Sequence, residues 1–242
     1  MAHGTPDWGG ATPTDTITSV QDLGELAARL GALSRYERSG NLVFADDFQC
    51  GLGKWVRVAL GTGSFVEINQ DYTNEKLFAC KMYAENDGLH QARIVHTEMP
   101  LVLSRYGLEY SFMTPSSGVI LQWGIHTYDG VNQRAYAIQW RESTKKLYYQ
   151  TGAAAWTEFA SDVDLFGYYY EFNNAKLVID PTIYKFKKLF LNATAYDLSA
   201  YSPYATADAT RAQTVLYFAV DLDGATGTSA WVSRVILTQN EP

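Results

Sequence analysis

From Asn41 to its C-terminus the chain is written in short runs of alternating or β-branched residues separated by turn chemistry, the pattern of strands. The runs predicted as strands are 42–48, 55–60, 63–69, 77–83, 91–98, 107–113, 118–127, 132–141, 146–150, 155–159, 175–180, 183–192, 213–221 and 229–238. Asp87-Gly88, Asp129-Gly130 and the polar stretch Glu142 to Lys145 read as turns, so 118–159 is predicted to be an antiparallel meander. Alternation assigns its faces. Val119, Leu121, Trp123 and Ile125 point one way and Gln122 and His126 the other; Tyr136, Ile138 and Trp140 oppose Ala135, Ala137, Gln139 and Arg141. One face core-like and one polar is the signature of a sheet in a sandwich.

The head of the chain differs. Residues 1–17 have no hydrophobic period and read as an extended arm, whereas Val20, Leu23, Leu26, Ala27, Leu30 and Leu33 recur at three- and four-residue steps over 19–34, one apolar helix face. Ser19 suits the cap and Asp22 the first turn. Gly24 and Gly31 weaken the helix in isolation, so it needs a surface, either its own sheet or a partner subunit. The organisation expected is an arm and helix over 1–40 and a β-sandwich over 41–242. About fourteen short strands without an internal repeat fit a jelly roll better than an immunoglobulin domain, a propeller or a solenoid.

Composition narrows the classes. Of 242 residues 47% are hydrophobic and 19% charged, enough for a sizeable core and unlike a disordered chain. The net charge of −7 disfavours a nucleic-acid partner held by phosphate neutralisation, and no apolar run is long enough for a membrane helix. The polar start has neither a basic nor an apolar region of a secretory signal, so synthesis in the cytoplasm is expected. Without a secretory route Cys50 and Cys80 are expected as free thiols, and the sequon at Asn192 carries little weight.

Three stretches carry a resemblance. Leu42-Val43-Phe44-Ala45-Asp46-Asp47-Phe48 followed by Gly51, Gly53 and Trp55, then Ala175-Lys176-Leu177-Val178-Ile179-Asp180 running on to Tyr196-Asp197-Leu198, then Ala230-Trp231-Val232-Ser233-Arg234-Val235-Ile236-Leu237, resemble in that order the opening strand, an inner hairpin and the closing strand of concanavalin A-like, laminin-G-like sandwiches. An all-β, antiparallel jelly roll is what this implies. His3-Gly4-Thr5-Pro6-Asp7-Trp8-Gly9 and Asp22 to Gly31 are similar to the N-termini of tailed-phage virion proteins, which implies a structural role on a particle and carries over no catalytic residue.

Catalytic motifs are missing. The Glu-x-Asp-x-x-Glu strand of retaining glucanases, whose paired carboxylates stand ~5 Å apart, has no match; Glu85-Asn86-Asp87 runs into Gly88-Leu89-His90. Gly227-Thr228-Ser229-Ala230-Trp231 fails as a nucleophile elbow, Gly51 to Lys54 and Gly61 to Ser64 do not complete a phosphate loop, and no His-Glu-x-x-His is present. Two constellations remain. Asp46, Asp47, Asp221 and Asp223, near the first and last strands, suit calcium, the one cofactor the residue pattern allows, or serve as turn and edge residues. Gln122, His126, Gln139 and Arg141, with Tyr149 beside them, suit a sugar by amide and guanidinium hydrogen bonds and aromatic stacking, or form a solvated or covered sheet face. Tyr168 to Tyr170 and Tyr201 to Tyr204 read as aromatic loops, and Lys185, Lys187 and Lys188 as guards of an edge strand.

The leading expectation is a non-enzymatic virion protein, a capsid decoration or tail-associated subunit, that assembles as a homo-oligomer with other virion proteins. Pro6, Trp8, Val20, Leu23, Leu26, Leu30 and Leu33 would form its interface. The alternative is a carbohydrate-binding module meeting a surface glycan. A third reading, a glycosidase or lyase with a noncanonical site, requires two carboxylates or a Tyr/His pair facing one cleft.

Overall fold

The computed structural model describes residues 40–242 apart from 74–77, 87–89, 116, 170 and 225. The expected helix and every residue of the expected assembly interface lie outside the described residues, as does the Asp87-Gly88 turn. Sixteen strands are described: β1 (Asn41–Asp46), β2 (Val56–Leu60), β3 (Phe65–Asn69), β4 (Ala79–Ala84), β5 (Gln91–Glu98), β6 (Tyr106–Met113), β7 (Val119–Tyr128), β8 (Asn132–Arg141), β9 (Lys146–Gln150), β10 (Trp156–Ala160), β11 (Asn173–Asp180), β12 (Lys185–Leu191), β13 (Thr194–Asp197), β14 (Tyr204–Ala207), β15 (Gln213–Leu222) and β16 (Thr228–Gln239).

They form two antiparallel sheets of eight. One runs β13-β12-β11-β6-β16-β4-β3, with β1 on β16; the other runs β10-β9-β8-β7-β15-β5-β2, with β14 on β8. Pairing of the first strand with the last follows the expected jelly roll. Strand β16 is twelve residues long, so β4 and β1 fit one after the other along one edge while β6 takes the opposite edge.

The meander β7 to β10 lies in sequence order, as its turns predict. The β7–β8 turn is held by one side chain. Asp129 accepts from the amides of Val131 at 2.9 Å and Asn132 at 2.7 Å and pairs with Nη1 of Arg134 at 2.6 Å, while Gly130 takes φ 89°. This turn sets a register in which Gln122 faces Gln139 and Trp123 faces Ile138. Two short strands, β13 and β14, escape the pattern reading because four residues show no period. Their presence corrects one expectation: β12 is flanked by β11 and β13, so Lys185, Lys187 and Lys188 guard no edge. Lys187 instead lies 3.8 Å from Asp180, and Lys185 donates to the carbonyl of Ala200.

Between the sheets the inward residues make one core. Phe112 of the first sheet meets Phe218 and Trp123 of the second with ring centroids 5.5 and 5.8 Å apart. Burial of such rings supplies most of the folding free energy, about 25 cal/mol per Å2 of apolar surface. Two of the buried indole and phenol donors find partners, Trp140 Nε1 on the Val163 carbonyl and Tyr110, reaching across the sandwich, on the Tyr217 carbonyl at 2.9 Å, whereas Trp123 Nε1 and the Tyr136 hydroxyl have none among the described residues. A buried ion cluster sits on the first sheet, where Lys176 lies 3.3 Å from Glu109 and 3.0 Å from Glu241.

Candidate functional site

The ladder of the second sheet fixes which side chains meet on its outer face. Registers place Arg93, Ala219, Gln122, Gln139 and Tyr148 in one row across β5, β15, β7, β8 and β9. The next row reads Val95, Tyr217, Gly124 and Ala137, and on β9 and β10 Gln150 faces Trp156. A third brings Val215 opposite His126, with Ala135 beyond. Small residues, Ala219, Gly124, Ala137 and Ala135, therefore alternate with the large side chains of Arg93, Gln122, Tyr217 and His126 and leave room between them.

This distribution makes a cleft of about 480 Å3, lined by Arg93, Val95, Gln122, His126, Tyr128, Gln133, Gln150, Ala153, Trp156, Val215 and Tyr217. Ala137, Ala219 and Tyr217 pack as a small apolar cluster with Val95 and Trp156, and three of these residues, Val95, Trp156 and Tyr217, line the cleft. Gly124, between Tyr217 and Ala137 in the same row, has no room for a side chain: a Cβ there would stand 2.2 Å from the Tyr136 carbonyl oxygen.

The polar groups are few. Nδ1 of His126 lies 2.9 Å from Nε2 of Gln133, while its Nε2 is buried without a protein partner. With the Gln133 amide donating, the ring proton sits on Nε2; with the amide turned end for end, Nδ1 holds the proton and Nε2 becomes a lone pair. Burial, reinforced by the Arg93 charge, lowers the His126 pKa to about 4, so the imidazole is neutral at pH 7. The Tyr217 ring stands 4.8 Å from that of His126, and burial pushes its phenol well above the ordinary range against a smaller opposing pull from Arg93. Arg93 Nε is likewise buried without a hydrogen-bond partner.

Of the residues singled out in sequence, Gln122 and His126 line the cleft. Gln139 lies next to Gln122 on the same face but is 3% exposed and accepts from Arg141 Nε at 2.7 Å; the Arg141 guanidinium covers the Tyr148 ring at 4.8 Å. Tyr149 is a correction. It pairs with Ile138, packs on the inner core and stacks on Tyr201 at 4.5 Å, so it faces away from the cleft; Tyr148 is the outward residue. Tyr201 thus covers core. Arg93, Tyr217, Gln133 and Trp156 were not among the predicted residues, although alternation places Arg93 between inward Ala92 and Ile94.

The acidic constellation is dispersed. Asp46 accepts Trp55 Nε1 at 2.6 Å and lies 3.5 Å from Lys54; Asp221 pairs with Nδ1 of His90 at 2.9 Å; Asp223 accepts from Ser143; and Asp47 accepts from the Gln49 amide. Asp221 and Asp223 belong to the end of β15 and its following turn, not to the last strand. Among the described residues no group of three or more His, Cys, Asp or Glu is placed to hold a metal ion. Cys50 and Cys80 are free thiols, the first exposed and the second buried.

No protein-family model matches the chain, and no curated protein does. Solved structures are similar in fold. An endo-β-1,4-glucuronan lyase from Trichoderma reesei superposes with a TM-score of 0.55 at 13% identity, over 82% of this chain and 96% of that one. An endo-1,3-β-glucanase from Streptomyces sioyaensis gives 0.54 at 13% identity, over 86% of this chain and 100% of that one. The potassium-bound carbohydrate recognition domain of Emp46p gives 0.51 at 13% identity, over 84% and 96%. What the chain shares with them is its architecture, the two-sheet antiparallel jelly-roll sandwich that its sequence resembles.

Proposed function

We propose that the chain binds a glycan in the outer-face cleft of its second sheet. The observation that carries this is the composition of the cleft: aromatic walls from Trp156, Tyr217 and Tyr128, and amides from Gln122, Gln133 and Gln150, with the small Ala137 and Ala219 packed against Tyr217. Apolar sugar faces stack on rings, and ring hydroxyls exchange hydrogen bonds with amides, which donate and accept at once. The fold-level likeness to proteins named for glucan, glucuronan and carbohydrate recognition supports the same reading. The test is a broad glycan array followed by calorimetry. A saturable ligand whose affinity falls about tenfold in Trp156→Ala supports the proposal. A flat array sinks it.

A second reading is favoured by one pair of groups. Neutral His126 and un-ionised Tyr217 lie side by side, one able to take a proton and the other to give one. On a uronate this pair suits β-elimination: the C5 proton goes to the base, the C5–H electrons form the C4=C5 bond, the C4–O bond breaks, and the leaving oxygen receives a proton. For His126 Nε2 to act as base, the Gln133 amide must accept from Nδ1. New ultraviolet absorbance of an unsaturated uronate, abolished in His126→Ala, supports this reading; polyuronates left intact by the native chain refute it.

The assembly role expected of residues 1–40 is a separate proposal resting on sequence alone. Light scattering of the full chain beside one beginning at Asn41 tests it, and an unchanged mass per particle would contradict it.

A further inference from the structure

If the cleft is a glycan site, its polar inventory also selects the charge of the glycan. Arg93 is the one charged side chain among the described residues that line it, and no carboxylate does. Its Nε is buried with no hydrogen-bond partner, and the side chain makes no ion pair among the described residues. A guanidinium is a permanent cation; Arg93 is partly buried, with its Nε shut off from water, and an anion of matching geometry would offset that cost. The neighbouring His126 ring offers no compensating negative charge, since an imidazole is neutral or cationic. The acidic residues that give the chain its net charge of −7 stand elsewhere.

The ladder shows what would fit. Arg93 and Gln122 flank Ala219 in one row, two strand spacings or about 10 Å apart at the backbone, with only a methyl group between. A planar carboxylate on a sugar ring can take two guanidinium hydrogen bonds on one side while the ring hydroxyls reach the Gln122 amide on the other. We propose that the cleft takes an acidic saccharide, a uronate, with the sugar carboxylate seated against Arg93. This rests on the reading of the cleft as a glycan site and names the class of glycan.

The test uses the full chain and pairs of oligosaccharides that share every linkage and differ only in carrying CH2OH or a carboxylate at C6: β-1,4-linked glucose, β-1,4-linked mannose and α-1,4-linked galactose, each against its uronate. Calorimetry at neutral pH is expected to show at least one uronate bound about tenfold or more tighter than its neutral partner. The preference should shrink with added salt, disappear in Arg93→Gln, and survive in part in Arg93→Lys, which keeps charge but not the planar fork. If Arg93→Gln does not fold, the salt dependence of the native preference decides. Equal binding within each pair, or a preference that salt and Arg93→Gln leave intact, overturns the inference while leaving the glycan reading standing. Binding of no member of any pair overturns both.

Discussion

Tyr217 stands directly across the ladder from Gly124, and its side chain forms part of the cleft wall. The glycine is required by its other neighbour. An added Cβ would lie 2.2 Å from the Tyr136 carbonyl oxygen and 2.9 Å from the Ala137 Cα, both backbone atoms that cannot swing aside. Gly124→Ala is therefore expected to cost on the order of 1–3 kcal/mol in chemical denaturation and to disturb the cleft. Unchanged stability would mean that β7 and β8 part easily.

His126 makes stability depend on pH in a definite direction. Its folded pKa of about 4 lies below the ordinary 6.5, so as pH falls the unfolded ring binds a proton first. The folded state carries no penalty above pH 6.5, loses stability progressively between 6.5 and 4, and loses no more below that. The full loss is on the order of 3 kcal/mol. Denaturation curves of the native chain and His126→Gln should diverge across this window and run parallel above it; parallel curves throughout would contradict a buried neutral ring.

The cluster of Lys176, Glu109 and Glu241 gives a sharper stability test. Lys176 is 3% exposed and lies within 3.3 Å of both carboxylates, so Lys176→Met takes the cation away from two buried carboxylates. A loss of about 3–5 kcal/mol is expected. Adding Glu109→Gln and Glu241→Gln should recover much of it. A mild effect from the single change would place water in the cluster.

The thiols should separate cleanly. Burial raises the Cys80 pKa far above that of an ordinary cysteine, and the nearby Asp46 charge adds to the effect, whereas Cys50 is exposed. A thiol reagent is expected to titrate one of the two cysteines in the native chain and both in denaturant. Two reactive thiols in the native state would place Cys80 within reach of solvent.

Within single strands and tight hairpins the sequence was a good guide. Gln122 and Gln139 share a face because strand period is two and the Asp129 turn is readable from its own residues. Tyr149 shows where that ends. Arg141 pairs with Lys146 across the β8–β9 turn, which makes Tyr148 the outward residue, and the Tyr148-Tyr149 doublet has no alternation of its own to reveal this. Arg93 and Tyr217 were illegible for another reason. Their place beside Gln122 and His126 depends on β15 pairing with both β5 and β7, a contact between segments about a hundred residues apart that leaves no local trace.

That insertion of β15 ties any binding in the cleft to synthesis through β15. While a ribosome has delivered only the segments up to β14, Gln122 and His126 exist and Arg93 exists, yet nothing holds them at a common distance. Strand β15 is the spacer that sets it and also supplies Tyr217 and the gap above Ala219. Contacts of such sequence separation form late in folding. A ligand that spans Arg93 and Gln122 would thus act as a proofreader of the finished ladder, distinguishing a correctly closed sheet from a collapsed chain that buries the same apolar residues without it.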